Sequence, residues 1–217
     1  MVKPMKPPRS DLRNDYDPIA AEYAKRLYHE LEHKPLDRSL LDRLAAQAGA
    51  LGIICDLGCG PGQVAAYLHS RGAQVCGIDL SAEMLKLARQ LNPELHFQQG
   101  DMLALSDVAE QTFSGIAAFY SIIHIPRDRV VAALRELWRV LRSQGLLLLT
   151  FHLGQQVIQL DELWEQPVAL DFVFFETEEM VGYLQSAGFE IEEVIEREPY
   201  PEVEVQTRRS YIFARKL

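Results

Sequence analysis

One stretch constrains this chain more than any other. Ile53-Ile54-Cys55-Asp56 is a short apolar run ending on a carboxylate, and Leu57-Gly58-Cys59-Gly60-Pro61-Gly62 follows at once. The pattern reads as a strand, a glycine-rich turn and a helix over 63–70. Glycines accept positive φ and let a ligand approach the backbone with no Cβ in the way. The helix that follows adds unpaired N–H groups and a partial positive charge at its N-terminus. Such a turn suits a nucleotide-like or carboxylate-bearing ligand.

The rest of the chain repeats the alternation. Strands are expected over 52–56, 73–78, 95–99, 113–119 and 146–151, with helices over 63–70, 82–91 and 127–142. Ser81 is the expected cap of the second of these helices. On the third, Val130, Leu134, Leu137, Trp138 and Leu141 share one face. Two helices, over 17–31 and 36–48, precede the first strand and are separated at Pro35. Near the end, a helix over 177–187 stops at Gly188, and the runs 189–197 and 203–214 lie close enough in sequence to pair antiparallel. An α/β class follows: a Rossmann-like doubly wound sheet, mostly parallel with a C-terminal antiparallel strand, helices on both faces. The organisation expected is a disordered tail at 1–15, an N-terminal helical lid at 16–50 and a ligand-binding domain at 51–217. Within that domain, 154–175 is an insert on the acceptor side.

Composition excludes several partners. Lys plus Arg total 22 against 31 Asp plus Glu, so net charge is 22 − 31 = −9 and no basic stripe offsets it. The Arg208-Arg209 pair is expected to be a solvated strand position, and nucleic acid is not an expected partner. The longest apolar run, 146–151, is far short of the ~20 residues a membrane span needs. Residues 1–10 carry prolines and basic residues without the apolar segment of a signal peptide, so a cytoplasmic protein, monomer or homodimer, is expected. Cys55 and Cys59 lack CxxC spacing, and the histidines form no cluster with cysteine; no metal is expected.

Spacing narrows the ligand. A dinucleotide fingerprint needs a third glycine at 63, but that position is Gln63 and the glycine comes early, at 62. Pro61 also removes an N–H that a pyrophosphate would use. The next strand ends Cys76-Gly77-Ile78-Asp79, where a carboxylate can accept both ribose hydroxyls of an adenosine. The bland alternative makes Asp79 a cap of the following helix, for which Ser81 is better suited. After the third strand, Gly100-Asp101-Met102 offers a carboxylate for an adenine amino group and a Met to pack on its face.

DLGCGPG at 56–62, GIDLS at 77–81, GDM at 100–102 and RVLRSQGLLLL at 139–149 together resemble class I S-adenosylmethionine-dependent methyltransferases. The resemblance is strongest to the small-molecule branch that includes quinone-biosynthesis-like enzymes, and it runs roughly from Ile53 to Phe151. It implies a seven-stranded sheet, S-adenosylmethionine as cofactor and S-adenosylhomocysteine as product. It also implies methyl transfer to an O, N or C atom of a small-molecule acceptor. The residues expected at the methionine end of the cofactor are Asp56, Gly58, Cys59, Gly60 and Gly62. Asp79 and Leu80 are expected on the ribose and adenine, Asp101 and Met102 around the adenine, and Met84 and Phe119 in the same shell.

Acceptor residues are sought where the fourth and fifth strands end. His124 is the candidate general base, with Tyr120 beside it and His152 as a substrate contact. Tyr16 and Tyr23 offer aromatic faces to a sulfonium from the N-terminal lid, and Trp164, Phe172 and Phe174 of the insert offer an apolar acceptor pocket. Phe119-Tyr120-Ser121-Ile122 departs from the Asn/Asp-Pro-Pro-Tyr pattern of nucleic-acid amino-methylating enzymes. Two other classes remain open here. One is a protein of this fold that binds S-adenosylmethionine without transferring a methyl group; the other is a nicotinamide oxidoreductase, which the missing fingerprint and missing Tyr-x-x-x-Lys pair disfavour.

Overall fold

A computed structural model describes residues 15–217. The expected tail at 1–15 lies outside the described residues except for Asp15. The strands are β1 Ile53–Leu57, β2 Gln74–Asp79, β3 His96–Gln99, β4 Phe113–Phe119, β5 Leu141–His152, β6 Val157–Leu163, β7 Gln166–Val173, β8 Phe189–Arg197 and β9 Arg209–Lys216. The α-helices are α1 Ala20–Leu27, α2 Pro35–Ala48, α3 Gln63–Ser70, α4 Ala82–Leu91, α5 Arg127–Val140 and α6 Thr177–Ala187.

Seven strands form one sheet in the order β3-β2-β1-β4-β5-β9-β8. β1 to β5 run parallel, while β9 runs antiparallel to both its neighbours, β5 and β8. The chain winds outward from β1 to β3, then returns to the other side of β1 with β4. The switch point therefore lies between β1 and β4, where ligands of open α/β sheets bind beyond the carboxyl ends of the strands. β5 is buried from Gly145 to Phe151 because both faces are covered. On one face α5 and α6 pack Val130, Leu134, Leu137, Met180 and Leu184 against Leu147 and Leu149. On the other, Leu40, Leu41 and Leu44 of α2 and Val64 and Leu68 of α3 pack against Ile54, Leu146 and Leu148.

Several elements differ from their sequence expectation. The 17–31 helix is broken into a 3-10 turn at Asp17–Ile19, α1, and a second 3-10 turn at Glu30–His33. Its apolar residues serve two cores: Leu31 packs with α2, whereas Ile19 packs with Val168 and Leu170. One straight helix cannot reach both. The 127–142 helix stops at Val140 because Leu141 turns extended and pairs with Phe113 of β4. The 154–175 insert is a two-stranded antiparallel hairpin, β6–β7, turning at Trp164 and Glu165 with φ of 52° and 64°. Positive φ at two successive turn positions matches the right-handed twist of a tight hairpin. The last strand begins at Arg209, not at 203, since residues 201–206 are taken up in turns and bends, with Val203 N–H donating to the Tyr200 carbonyl and Thr207 N–H to the Val205 carbonyl. Among the described residues no helix is long and apolar enough to cross a membrane.

Candidate active site

The glycine turn is held open by its own backbone. Gly58 and Cys59 donate N–H groups to the carbonyl of Ile78, at 2.7 and 3.1 Å, which fastens the turn to the end of β2. Gly60 donates to Asp79 Oδ2 at 2.8 Å, and Ser81 N–H donates to Asp79 Oδ1 at 2.8 Å. Asp79 thus ties the turn to the start of α4. The better cap of α4 is indeed Ser81, whose hydroxyl accepts from Met84 N–H at 3.1 Å. Gly58 needs its missing side chain twice over: its φ is 74°, and a Cβ there would lie 2.3 Å from the Cβ of Ser121.

A cavity opens beside this turn. Asp56, Gly58, Cys59 and Gly60 line it together with the aromatic residues Tyr23, Phe119 and Tyr120. Glu30, Lys34, Asp37 and Gln63 complete its polar wall. Asp56 is buried and accepts the Ala65 N–H at 2.9 Å. Burial pushes its carboxyl up to about 8, the Ala65 N–H opposing and Asp79 adding to the rise. Asp79 is likewise raised by burial, with the Ser81, Gly60 and Leu80 N–H groups pulling back. Gln63 Oε1 and Asp37 Oδ1 are buried without a hydrogen-bond partner among the described residues. A cavity with several carboxylates, two orphaned acceptors and three aromatic faces suits a ligand that brings N–H donors and positive charge.

Residues 54–145 match the methyltransferase domain family. A malonyl-[acyl-carrier protein] O-methyltransferase of Enterobacter lignolyticus is 30% identical over 168 residues, 73% of this chain and 64% of that protein. A SAM-dependent methyltransferase from Methanosarcina mazei shares the fold with a TM-score of 0.69 at 20% identity, covering 76% of this chain and 92% of that one. Residues 54–145 are thus a methyltransferase domain, on the fold that S-adenosylmethionine-dependent methyltransferases share. A trans-aconitate 2-methyltransferase of Azoarcus sp. is also similar, 43% identical over 74 residues, 33% of this chain and 28% of that protein. The chain spans 58 to 64% of the length of the first curated relatives it matches.

In this methyltransferase domain the expected acceptor residues fall into two groups. His124 lies in a short 3-10 turn after β4. Its Nδ1 is 3.0 Å from the Asp171 carbonyl, which can only accept, so Nδ1 carries the proton. Nε2 then accepts the Tyr16 hydroxyl at 2.8 Å. Burial lowers His124 to about 4, so its ring is neutral near pH 7. The general-base expectation meets a specific obstacle here, because the available lone pair is bonded to Tyr16. Tyr16 stands edge-on to Tyr23, Tyr23 edge-on to Trp164, and Phe172 edge-on to His124. The N-terminal segment and the hairpin meet through these rings.

The second group surrounds Tyr120, which adopts φ 51° and stacks on His152 at 5.1 Å; His152 in turn stacks on Phe174. Positive φ in a bulky residue is strained and held here by N–H donation from Tyr120 to Thr150. Burial, then the charges of Arg209 and Lys34, lower His152 to about 3. Arg209 corrects a sequence expectation: it is buried, not solvated, while Arg208 stays exposed. Arg209 reaches inward because Glu204 and the carbonyls of Val205 and Thr207 meet its guanidinium.

Of the remaining expected residues, Gly62 caps α3, and Met84 is buried in α4. Leu80 accepts from Gln99 at its carbonyl, Asp101 Oδ1 accepts the Leu103 N–H, and Met102 packs against the core. Sequence reasoning missed Glu30, Lys34, Asp37 and Gln63 as cavity residues. Lys34 and Asp37 lie beside Pro35, which signalled only a break between two helices, and Gln63 served only to reject a dinucleotide.

Proposed function

We propose that the chain transfers a methyl group from S-adenosylmethionine to a carboxylate oxygen of a small metabolite. One observation carries this reading: the cavity at the glycine turn continues, without a break in its lining, to Lys34, Asp37 and Tyr120. There a cluster of buried cations begins. Two relatives support it by name, since malonyl and trans-aconitate groups both bear carboxyl groups.

The residues present fit the cofactor. Gly58 and Gly60 leave backbone room, Gln63 Oε1 and Asp37 Oδ1 await donors, and Asp56 and Glu30 face a positive group. Asp79, Leu80, Met84, Asp101 and Met102 are assigned to the adenosine. When bound, S-adenosylmethionine supplies an activated methyl on a sulfonium. The chain's own work is then to align the acceptor, exclude water and fix charge. Tyr23, Phe119 and Tyr120 present aromatic faces toward the sulfonium side. A carboxylate attacks without losing a proton, so no free general base is required. His124, bonded to Tyr16 and the Asp171 carbonyl, positions the N-terminal segment against the hairpin. The 16–50 segment then acts as a cover for the site.

The test is S-adenosylhomocysteine formation with a panel of mono-, di- and tricarboxylates beside matched alcohols, phenols and amines. Turnover is expected with carboxylates. Turnover confined to phenols or amines overturns the acceptor class, and cofactor binding with no product from any member returns the chain to a binding role.

A further inference from the structure

Three buried cations at the active end of the sheet converge on one carboxylate that the chain itself supplies. Lys34 precedes α2, Arg197 ends β8 and Arg209 opens β9, with side chains 6, 10 and 3% exposed. Their common partner is Glu204, in the connection from β8 to β9. Its carboxylate is 3.2 Å from Arg209 Nε and 3.6 Å from Lys34 Nζ. Arg197 grips it with Nη1 and, at 3.2 Å, Nη2, and the Tyr200 N–H donates to it at 2.7 Å. Glu30 on Lys34 and Asp37 on Arg197 balance the other charges. The site borders the cofactor cavity, since Lys34, Asp37 and Tyr120 line both.

We propose that Lys34, Arg197 and Arg209 form a receptor for the acceptor's carboxylate, and that Glu204 is a tethered carboxylate which fills it until the acceptor displaces it. This rests on the carboxylate reading above. Two features distinguish it from a fixed structural cluster. Arg209 Nε is buried and makes no aligned hydrogen bond among the described residues, so the internal carboxylate leaves one donor unused. The segment carrying Glu204 also adds little to the core, Val203 and Val205 beside it being 39% and 70% exposed. Its closure rests on polar contacts, and such segments open at low cost. Simple opening would leave Arg209 buried without its carboxylate, which is costly, so the loop leaves when another anion takes its place. A tethered group acts at an effective concentration of roughly millimolar, within reach of a metabolite that gains further contacts in the cavity.

The probe is malonate, titrated calorimetrically with S-adenosylhomocysteine present. E204Q is expected to bind it about tenfold tighter than the unaltered protein, as when Glu204 fills the receptor about nine-tenths of the time. Malonamide is expected to bind neither. Equal or weaker malonate binding by E204Q overturns the proposal. Should E204Q fail to fold, hydrogen exchange on the unaltered protein decides: saturating malonate is expected to speed exchange at the amides of 200–206, and unchanged exchange overturns the displacement. The two readings fail separately. Carboxylate methylation with a motionless loop sinks the gate alone, whereas a displaced loop in a protein that methylates only phenols or amines sinks the acceptor class alone.

Discussion

Both oxygens of Asp79 accept backbone N–H groups, from Gly60 and from Ser81, and burial raises its carboxyl despite them. A ribose would add hydroxyl donors to oxygens already oriented by the turn. Asp79→Ala is therefore expected to weaken S-adenosylmethionine binding by about 1.5–3 kcal/mol, the scale of charged hydrogen bonds, measured by calorimetry. Unchanged affinity would mean that Asp79 serves the turn alone. The place of Asp79 at the tip of β2, against the glycine turn, was legible in the sequence because it depends on local spacing: a glycine turn, a helix and the end of the next strand. Asp37 and Arg197 were not, for their pairing spans 160 positions and no local pattern marks either. Arg209 was misjudged for the same reason. A charge reads as solvated until its buried partner is seen.

At the level of elements, helices 63–70 and 177–187 were legible to the residue because Gly62 and Gly188 bound them, and strand 113–119 because its residues form a compact, largely apolar run. The hairpin was not. Val168, Leu170 and Phe172 alternate as a strand should, but the aromatic run after them obscures the period. Its partner is the N-terminal segment: Ile19 packs on Val168 and Leu170, and Tyr23 and Arg26 meet the Trp164 ring at 6.1 and 5.3 Å. Tyr23 also lines the cavity, which links the hairpin tip to the cofactor cradle. Trp164→Ala removes one aromatic pair, worth about 0.5–1.5 kcal/mol. Surface plasmon resonance should then show S-adenosylhomocysteine leaving roughly two- to tenfold faster. The urea midpoint should move little, since this small cluster stands apart from the main core. An unchanged dissociation rate would show that hairpin and N-terminal segment do not cover the site.

Stability of the whole molecule should respond to pH through groups buried near the cavity. The folded chain holds His124 down to about 4 and His152 to about 3, so below the ordinary histidine value near 6.5 the unfolded chain binds more protons. That contribution is fully present above pH 6.5 and is lost as pH falls toward the folded values. Asp56 acts in the opposite sense. Raised to about 8 from 3.8, it keeps its proton in the folded chain where the unfolded chain has lost it. Stability from Asp56 therefore declines as pH rises toward 8, by up to about 1.4 kcal/mol per pH unit. Asp37 and Asp79, also raised by burial, soften the acid limb in the same sense as Asp56. A maximum near pH 6.5 is expected in urea unfolding, with a decline on the way to pH 8. Asp56→Asn keeps an oxygen for the Ala65 N–H but has no proton to lose, so it should flatten that decline. An alkaline limb that survives the substitution would place its cause elsewhere. A cationic cofactor beside Asp56 favours the ionised form, so S-adenosylmethionine affinity should rise over the interval in which the free protein loses stability. Opposite slopes for the two quantities, measured on one preparation, would assign the cavity's negative charge to the cofactor; parallel slopes would refute that assignment.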